Sequence, residues 1–109
     1  MSRMRYDSSG LEVVQSASFV HWLDGVADQV AVARVVARIR RAEHGTLGDW
    51  KSLGRGLSEM RIHHGPGYRL YFARLAPRAI VMLAGGVKDT QSRDIQTART
   101  TLARLRRHP

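Results

Sequence analysis

The feature that most constrains this chain is a predicted β-hairpin at 57–72, LSEMRIHHGPGYRLYF. Apolar and polar residues alternate on both sides of a Gly-Pro-Gly turn, which is typical of two antiparallel strands with one buried face. Pairing the apolar residues on a common face requires Met60 opposite Leu70, because a slip of one residue would bury arginine. In that register Arg61 lies directly across from Arg69.

This register sets two like charges side by side, with Glu59 and Tyr71 paired on the same face. Like charges directly opposite each other destabilise a sheet, and such conflicts are common at functional sites. We therefore predict that an anion binds between the two guanidinium groups, on a sheet face directed away from the helices. The alternative is that Glu59 or Asp94 neutralises the pair.

The rest of the pattern predicts one α+β domain over 1–109, with 1–10 as a flexible polar leader. The first predicted elements are a strand at 11–16, a helix with Ser16 and Ser18 as candidate caps, and a second helix with Asp28 as its candidate cap. A glycine-punctuated linker at 46–56, antiparallel strands at 57–63, 68–75 and 79–84, and a closing helix from Asp89 or Thr90 follow. The last strand is continuously apolar, as expected for a strand covered on both faces. We predict a small twisted antiparallel sheet with two N-terminal helices and a C-terminal helix packed on one side.

The second helix carries three arginines on one face. Arg34, Arg38 and Arg41 lie apart from its apolar stripe, so we predict a solvated face, with a phosphate-contacting or partner-binding stripe as the alternative.

Charge indicates the class of partner. The chain has 18 basic and 9 acidic residues, and 16 of the basic ones are arginine, whose planar fork matches phosphate oxygens. Nucleic acid is the predicted partner, and an acidic protein is the second choice.

The sequence has no cysteine, which excludes disulfides and thiolate nucleophiles. With no apolar run of about 20 residues and no secretory signal, we expect a cytoplasmic protein without a membrane partner.

Two histidines adjoin the arginine pair. His63 belongs to the arginine face and His64 starts the turn, and either could transfer a proton near neutral pH. A solvated turn histidine is the alternative for each. The two rings point in opposite directions, so we expect no metal site, and no cofactor is predicted. After Gly85 and Gly86, Lys88 could join the cluster.

At this point the residues resemble a known family. The runs GDWKSLGRGLSEMRIHHGPGYRLYF and IVMLAGGVKDTQSRDIQTA are similar to those of the addiction-module killer proteins, the phage-derived HigB-like branch of the RelE/ParE toxin superfamily. The resemblance covers roughly 11–105. It implies a small twisted sheet packed against helices, a cognate helix-turn-helix antitoxin, and cleavage of ribosome-bound mRNA by attack of a ribose 2′-hydroxyl on the adjacent phosphate.

The resemblance also implies roles for particular residues. It makes Arg61, Arg69 and Lys88 the residues that stabilise charge on the phosphate. Ile95 stands where RelE has its catalytic tyrosine, so either His63, His64 or Tyr71 would have to transfer protons, or substrate positioning and electrostatic stabilisation would supply most of the catalysis. Lys51, Arg55, Tyr71 and Gln91 are predicted to contact RNA. Two alternatives remain: a ParE-like gyrase inhibitor without nuclease activity, and a non-catalytic nucleic-acid-binding module.

Overall fold

The fold is a five-stranded sheet with helices on both faces, in a computed structural model that describes residues 10–107. In chain order the elements are β1 (Glu12–Gln15), α1 (Ala17–Asp24), α2 (Gln29–Glu43), β2 (Trp50–Gly54), β3 (Leu57–Ile62), β4 (Tyr68–Ala76), β5 (Ala79–Val87), a 3₁₀ turn (Lys88–Thr90) and α3 (Gln91–Arg107). The predicted α+β class is confirmed. The predicted leader lies outside the described residues except for Gly10, which is buried. Within 10–107, no helix is both long and apolar enough to cross a membrane.

The sheet is mixed, and not purely antiparallel as predicted. Its strand order is β1-β5-β4-β3-β2, and β1 runs parallel to β5 while the other neighbours are antiparallel. A parallel pair needs a long crossover connection, which the intervening helices and strands supply. The sequence of a strand as short as β1 does not reveal the direction of its partner.

Strand β2 occupies part of the segment that was predicted as a linker. It pairs with β3, with Trp50 opposite Met60 and Lys51 opposite Glu59. Strand β2 lies at one edge of the sheet, and four of its five residues are exposed. Its last residue is glycine. An edge strand of this kind carries little apolar alternation, so its sequence resembles that of a loop.

Helices α1 and α2 cover one face of the sheet. Of the two candidate caps of α1, Ser16 is the one observed, since its hydroxyl accepts a hydrogen bond from the Phe19 amide. The predicted cap of α2 is confirmed, since the Asp28 carboxylate accepts two hydrogen bonds at the start of that helix. The core on this face combines helix and strand side chains: Phe19, Ala31, Val35, Ile39, Ala42, Met60, Ile62, Tyr68, Leu70, Phe72, Ile80 and Met82.

Helix α3 covers the opposite face, so the prediction that all helices pack on one side was wrong. Its residues Ala98 and Leu102 pack against Tyr71 and Leu83 of the sheet. The continuously apolar β5 is therefore covered on both faces, as its sequence predicted. The face that carries the arginine pair is the face of α3, and is not directed away from the helices.

One arginine of the predicted solvated stripe on α2 is buried. Arg38 is 6% exposed, and its guanidinium group donates to the carbonyl oxygens of Arg61 (2.6 Å), Leu47 (2.8 Å) and Asp49 (3.0 Å). Burial lowers its pKa from the ordinary arginine value. Arg38 thereby ties α2 to the end of β3 and to the loop before β2.

Two adjacent glycines allow both layers of helices to approach β5. A Cβ on Gly85 would overlap the Trp22 ring of α1, and a Cβ on Gly86 would overlap the Asp94 carboxylate of α3. Successive residues of a strand face opposite sides of the sheet. Gly85 therefore makes room for α1 on one face, and Gly86 makes room for α3 on the other.

We expect Gly85→Ala to lower the free energy of unfolding by about 1–3 kcal/mol, because the added methyl group forces the Trp22 ring out of its place. Gly25→Ala is the matched control, since a Cβ there meets no atom closer than 3.5 Å and its backbone φ is −90°. Urea unfolding measures both changes. Equal stability of the two variants would contradict the packing described for Gly85.

Candidate functional site

The predicted hairpin register is confirmed. Arg61 pairs with Arg69 across β3 and β4, and Glu59 pairs with Tyr71. The row extends to β5, where Gly86 lies opposite Arg69. All of these residues are on the α3 face of the sheet, near the N-terminal end of α3.

Glu59 is a buried carboxylate surrounded by donors from three other elements. Its side chain is 0% exposed. Arg69 Nη1 of β4 donates to Oε2 at 3.1 Å, Gln91 Nε2 of α3 donates to Oε1 at 3.2 Å, and Lys51 Nζ of β2 lies 3.8 Å from Oε2. A buried charge of this kind is tolerated only when it is paired and hydrogen-bonded. The contacts therefore fix the position of Arg69 at the base of the site.

Asp49 holds the other arginine and a histidine together. Its Oδ1 accepts from Arg61 Nη2 at 3.2 Å, and its Oδ2 lies 2.9 Å from His63 Nε2. These two hydrogen bonds, the one from His63 being the larger influence, lower the pKa of the Asp49 carboxyl group. An ionised Asp49 accepts a hydrogen bond from Nε2–H, which leaves Nδ1 as the second ring nitrogen of His63.

Each arginine of the pair thus has its own carboxylate, and the predicted unpartnered pair is not present. Glu59 neutralises Arg69, in agreement with one of the two alternatives. Asp94 is engaged elsewhere, by the Thr90 hydroxyl and by Arg93 at 3.5 Å. The Arg61 partner, Asp49, was not foreseen.

Four side chains form what we call the basic face: Lys51, Arg61, His63 and Arg69. Their side chains are 52%, 34%, 79% and 15% exposed, in that order. They combine a lysine, two guanidinium groups and an imidazole on one side of a hairpin. Such a set can bind a phosphate through charge-assisted hydrogen bonds and can exchange a proton through the imidazole.

His64 lies apart from the basic face. Its Nε2 is 2.9 Å from Oδ2 of Asp28, the cap of α2, and its ring stacks on Tyr68. The hydrogen bond with His64 is the main reason that the pKa of Asp28 is lowered. Tyr68 belongs to the core beneath α1 and α2, so His64 joins the hairpin turn to that side of the sheet.

Tyr71 does not lie on the surface, which corrects its prediction as an RNA-contacting residue. It is 0% exposed beneath α3, and its hydroxyl has no hydrogen-bond partner among the described residues. Burial, with the nearby charge of Glu59, raises its pKa to about 12. A buried phenol with such a pKa is a poor proton carrier at neutral pH.

The other predicted residues lie at different distances from the basic face. Gln91 contacts Glu59 directly. Lys88 is exposed and opens the 3₁₀ turn, where its amide donates to the Gly67 carbonyl of the hairpin turn at 2.8 Å. Arg55 is in the β2–β3 turn, six residues and about 20 Å along the strand from Arg61. The structure therefore separates Arg55 from the cluster.

Sequence reasoning missed Asp49 because it missed β2. The Arg61 amide donates to the Asp49 carbonyl at 3.0 Å, which extends the β2–β3 pairing by one step beyond Trp50. Had GDWKSLG been interpreted as a strand, the acid would have been placed beside Arg61 by register alone.

The fold and the site define a class: a one-domain α+β protein with a cationic patch on a small sheet. The model of the family described as "Phage derived protein Gp49-like (DUF891)" matches residues 21–107. An uncharacterized protein of Haemophilus influenzae is 36% identical over 89 residues, which cover 82% of this chain and 90% of that protein. The chain belongs to the Gp49-like phage-derived family, a toxin-like family of the RelE/ParE type.

We expect the carboxyl groups of Asp28 and Asp49 to titrate below the ordinary aspartate value of about 3.9. His63→Ala should raise the titration midpoint of Asp49 and leave that of Asp28 unchanged, and His64→Ala should do the reverse. Carboxyl ¹³C NMR measures both midpoints. Since both pKa values are lowered in the folded state, the stability from these links is present above about pH 4 and is lost as the pH falls through the lowered values.

The buried ring of Tyr71 matters for stability, and its hydroxyl does not. We expect Tyr71→Phe to leave the free energy of unfolding equal or raise it by up to about 1 kcal/mol, because the hydroxyl is buried without a partner. Tyr71→Ala is the control and should cost about 3–5 kcal/mol through the cavity it leaves. A large loss of stability in Tyr71→Phe would show that the hydroxyl is bonded.

Proposed function

We propose that the protein is the toxin of a toxin–antitoxin pair and that it is an endoribonuclease acting on translated mRNA. Membership of a toxin-like family supports the first part. The observation that carries the second is Asp49, which holds an arginine and a histidine side by side on an exposed strand end. The resemblance to the HigB-like branch supports the same reaction, with the ribosome and a helix-turn-helix antitoxin as partners in the cytoplasm.

The proposed reaction is an attack of the ribose 2′-oxygen on the adjacent phosphorus. The bond from O2′ to phosphorus forms while the bond from phosphorus to O5′ breaks. The products are a 2′,3′-cyclic phosphate and a 5′-hydroxyl. One proton leaves the 2′-hydroxyl and one proton is delivered to O5′, so the enzyme needs proton transfer and stabilisation of the dianionic phosphorane.

Arg61 and Arg69 are proposed to bind the non-bridging phosphate oxygens. Both guanidinium groups are oriented by carboxylates before any substrate arrives, which reduces the entropy cost of binding. Lys51 adds an exposed cation beside them, and Lys88 is proposed to contact the neighbouring part of the RNA. Gln91 acts as a positioning residue, because it contacts Glu59 and Glu59 holds Arg69.

His63 is proposed as the proton carrier. Asp49 engages Nε2 and so orients the imidazole, which leaves Nδ1 to face the substrate. His64 is less suited, because its ring is stacked on Tyr68 and bound to Asp28 on the other side of the hairpin. The requirement for a 2′-hydroxyl makes the substrate RNA and excludes DNA.

We expect Arg61→Ala to reduce cleavage by roughly 10²–10³-fold, because one donor to the charged transition state is lost. His63→Ala should reduce it by roughly 10²–10⁴-fold through loss of proton transfer. Arg61 is a cleaner test than Arg69, since removal of Arg69 would leave the buried Glu59 short of a partner. Arg104→Ala, on the C-terminal half of α3, is the control with the same change of charge and should be fully active.

The measurement is primer-extension mapping of transcripts after induction, beside a gyrase supercoiling assay. Cuts within translated frames that disappear in Arg61→Ala and His63→Ala support the proposal. Lost supercoiling with intact transcripts would select the gyrase-inhibiting alternative. Growth arrest that both variants retain in full would contradict a catalytic role for the basic face.

A further inference from the structure

A second cationic surface adjoins the basic face. A groove of about 640 Å³ runs between α2 and the end of β3. Arg34 and Arg41 line it on the α2 side, and Arg61 and His63 line it on the hairpin side. The last two also belong to the basic face, so the groove meets the basic face at these two residues, at the end of β3. We call this cavity the α2 groove.

The two outer arginines of α2 face the groove together. Arg34, Arg38 and Arg41 are spaced at i, i+4 and i+7, which places all three on one face of the helix. Arg38 turns inward to the three carbonyl groups, whereas Arg34 and Arg41 are exposed. Seven residues of helix separate them by about 10.5 Å along the axis. They are therefore two surface cations on the α2 side of the groove.

Among the described residues that line the groove, Asp49 is the one acid. Its carboxylate is already engaged by Arg61 and His63. The groove thus carries an excess of positive charge, and it has a rigid floor because Arg38 is fixed by hydrogen bonds to the backbone.

We propose that the α2 groove binds the sugar-phosphate backbone of single-stranded RNA next to the cleavage position, with Arg34 and Arg41 each bound to a phosphate. This inference rests on the proposed function, since it extends the path of the same RNA. A strand whose scissile phosphate lies at Arg61 must continue to either side, and the α2 groove begins at that residue. Contacts to phosphates carry no sequence information, so the groove gives affinity and register without base preference.

The lining of the groove favours RNA over an acidic protein segment. A partner helix that docks in a groove inserts apolar side chains at regular intervals. The apolar side chains here are Ala37, which is small, and Ile62, which is 6% exposed. The described residues that line the groove therefore include no exposed large apolar side chain that could anchor a peptide, whereas exposed guanidinium groups bind phosphate through paired hydrogen bonds.

The test is a binding measurement that needs no cleavage. The probe is a fluorescein-labelled single-stranded RNA of about 12 nucleotides with 2′-O-methyl groups, which cannot be cut. The double variant Arg34→Gln/Arg41→Gln is compared with Arg40→Gln/Arg104→Gln, which removes the same charge from α2 and α3 but not from the groove. Thermal unfolding of both variants checks that the fold is intact.

We expect the groove variant to bind the probe roughly tenfold more weakly than the control variant, as the loss of two phosphate contacts implies. Its slope of log K against log salt should be smaller by about 1.4, since each phosphate contact on a single strand contributes about 0.7. Equal affinity and equal slope in the two variants would overturn the inference. So would a groove variant that binds the probe normally but has lost affinity for the antitoxin, because the groove would then be a protein interface.

Failure of the proposed function is distinguishable from failure of this inference. If the native protein binds the probe through Arg34 and Arg41 but cuts no transcript, the α2 groove is supported as an RNA-binding site and the nuclease assignment alone is wrong. If transcripts are cut and the groove variant matches its control in both binding and cutting, the nuclease assignment stands and the groove has no part in binding RNA.

Discussion

The buried carboxylate of Glu59 is the interaction on which the rest of the site depends. It lies on β3 and is contacted by Lys51 of β2, Arg69 of β4 and Gln91 of α3, so four elements meet at one charge. The negative charge makes it possible for Arg69 to stand next to Arg61 on the same sheet face, a pairing that would otherwise be repulsive. The buried negative charge of Glu59 thus allows two arginines to lie side by side on a surface that is exposed to solvent in part.

The same face shows how a small domain can bury a core and still present a cationic surface to solvent. Helix α3 packs over Tyr71 and Leu83 but begins only at Gln91, beside Glu59. The glycine pair of β5 brings that helix close to the sheet on one side while Trp22 approaches on the other. As a result the apolar half of the face is closed, and the strand ends that carry Arg61 and His63 stay open to solvent.

The sequence predicted the structure correctly where apolar residues repeat at regular spacing. It did not predict the placement of a residue that depends on one contact with a distant part of the chain. Alternation of Met60 and Leu70 with arginine fixed the hairpin register, and with it the Arg61–Arg69 pair. Helical periodicity assigned Arg38 to solvent, because nothing in the local pattern reveals the three carbonyl groups that β3 and the loop before β2 present to it. The edge strand β2 was missed since four of its five residues are exposed, and Asp49 was missed with it.

The position of α3 after every strand of the sheet has a consequence for synthesis. A chain leaves the ribosome with its N-terminal side first, so the 17 residues of α3 emerge after all the strands that they contact. Until those residues have emerged, Glu59 lacks Gln91, and Tyr71 and Leu83 are uncovered. A nascent chain from which α3 has not yet emerged therefore holds an incomplete site, in which the buried Glu59 carboxylate has one donor fewer and one face of the sheet is open to solvent.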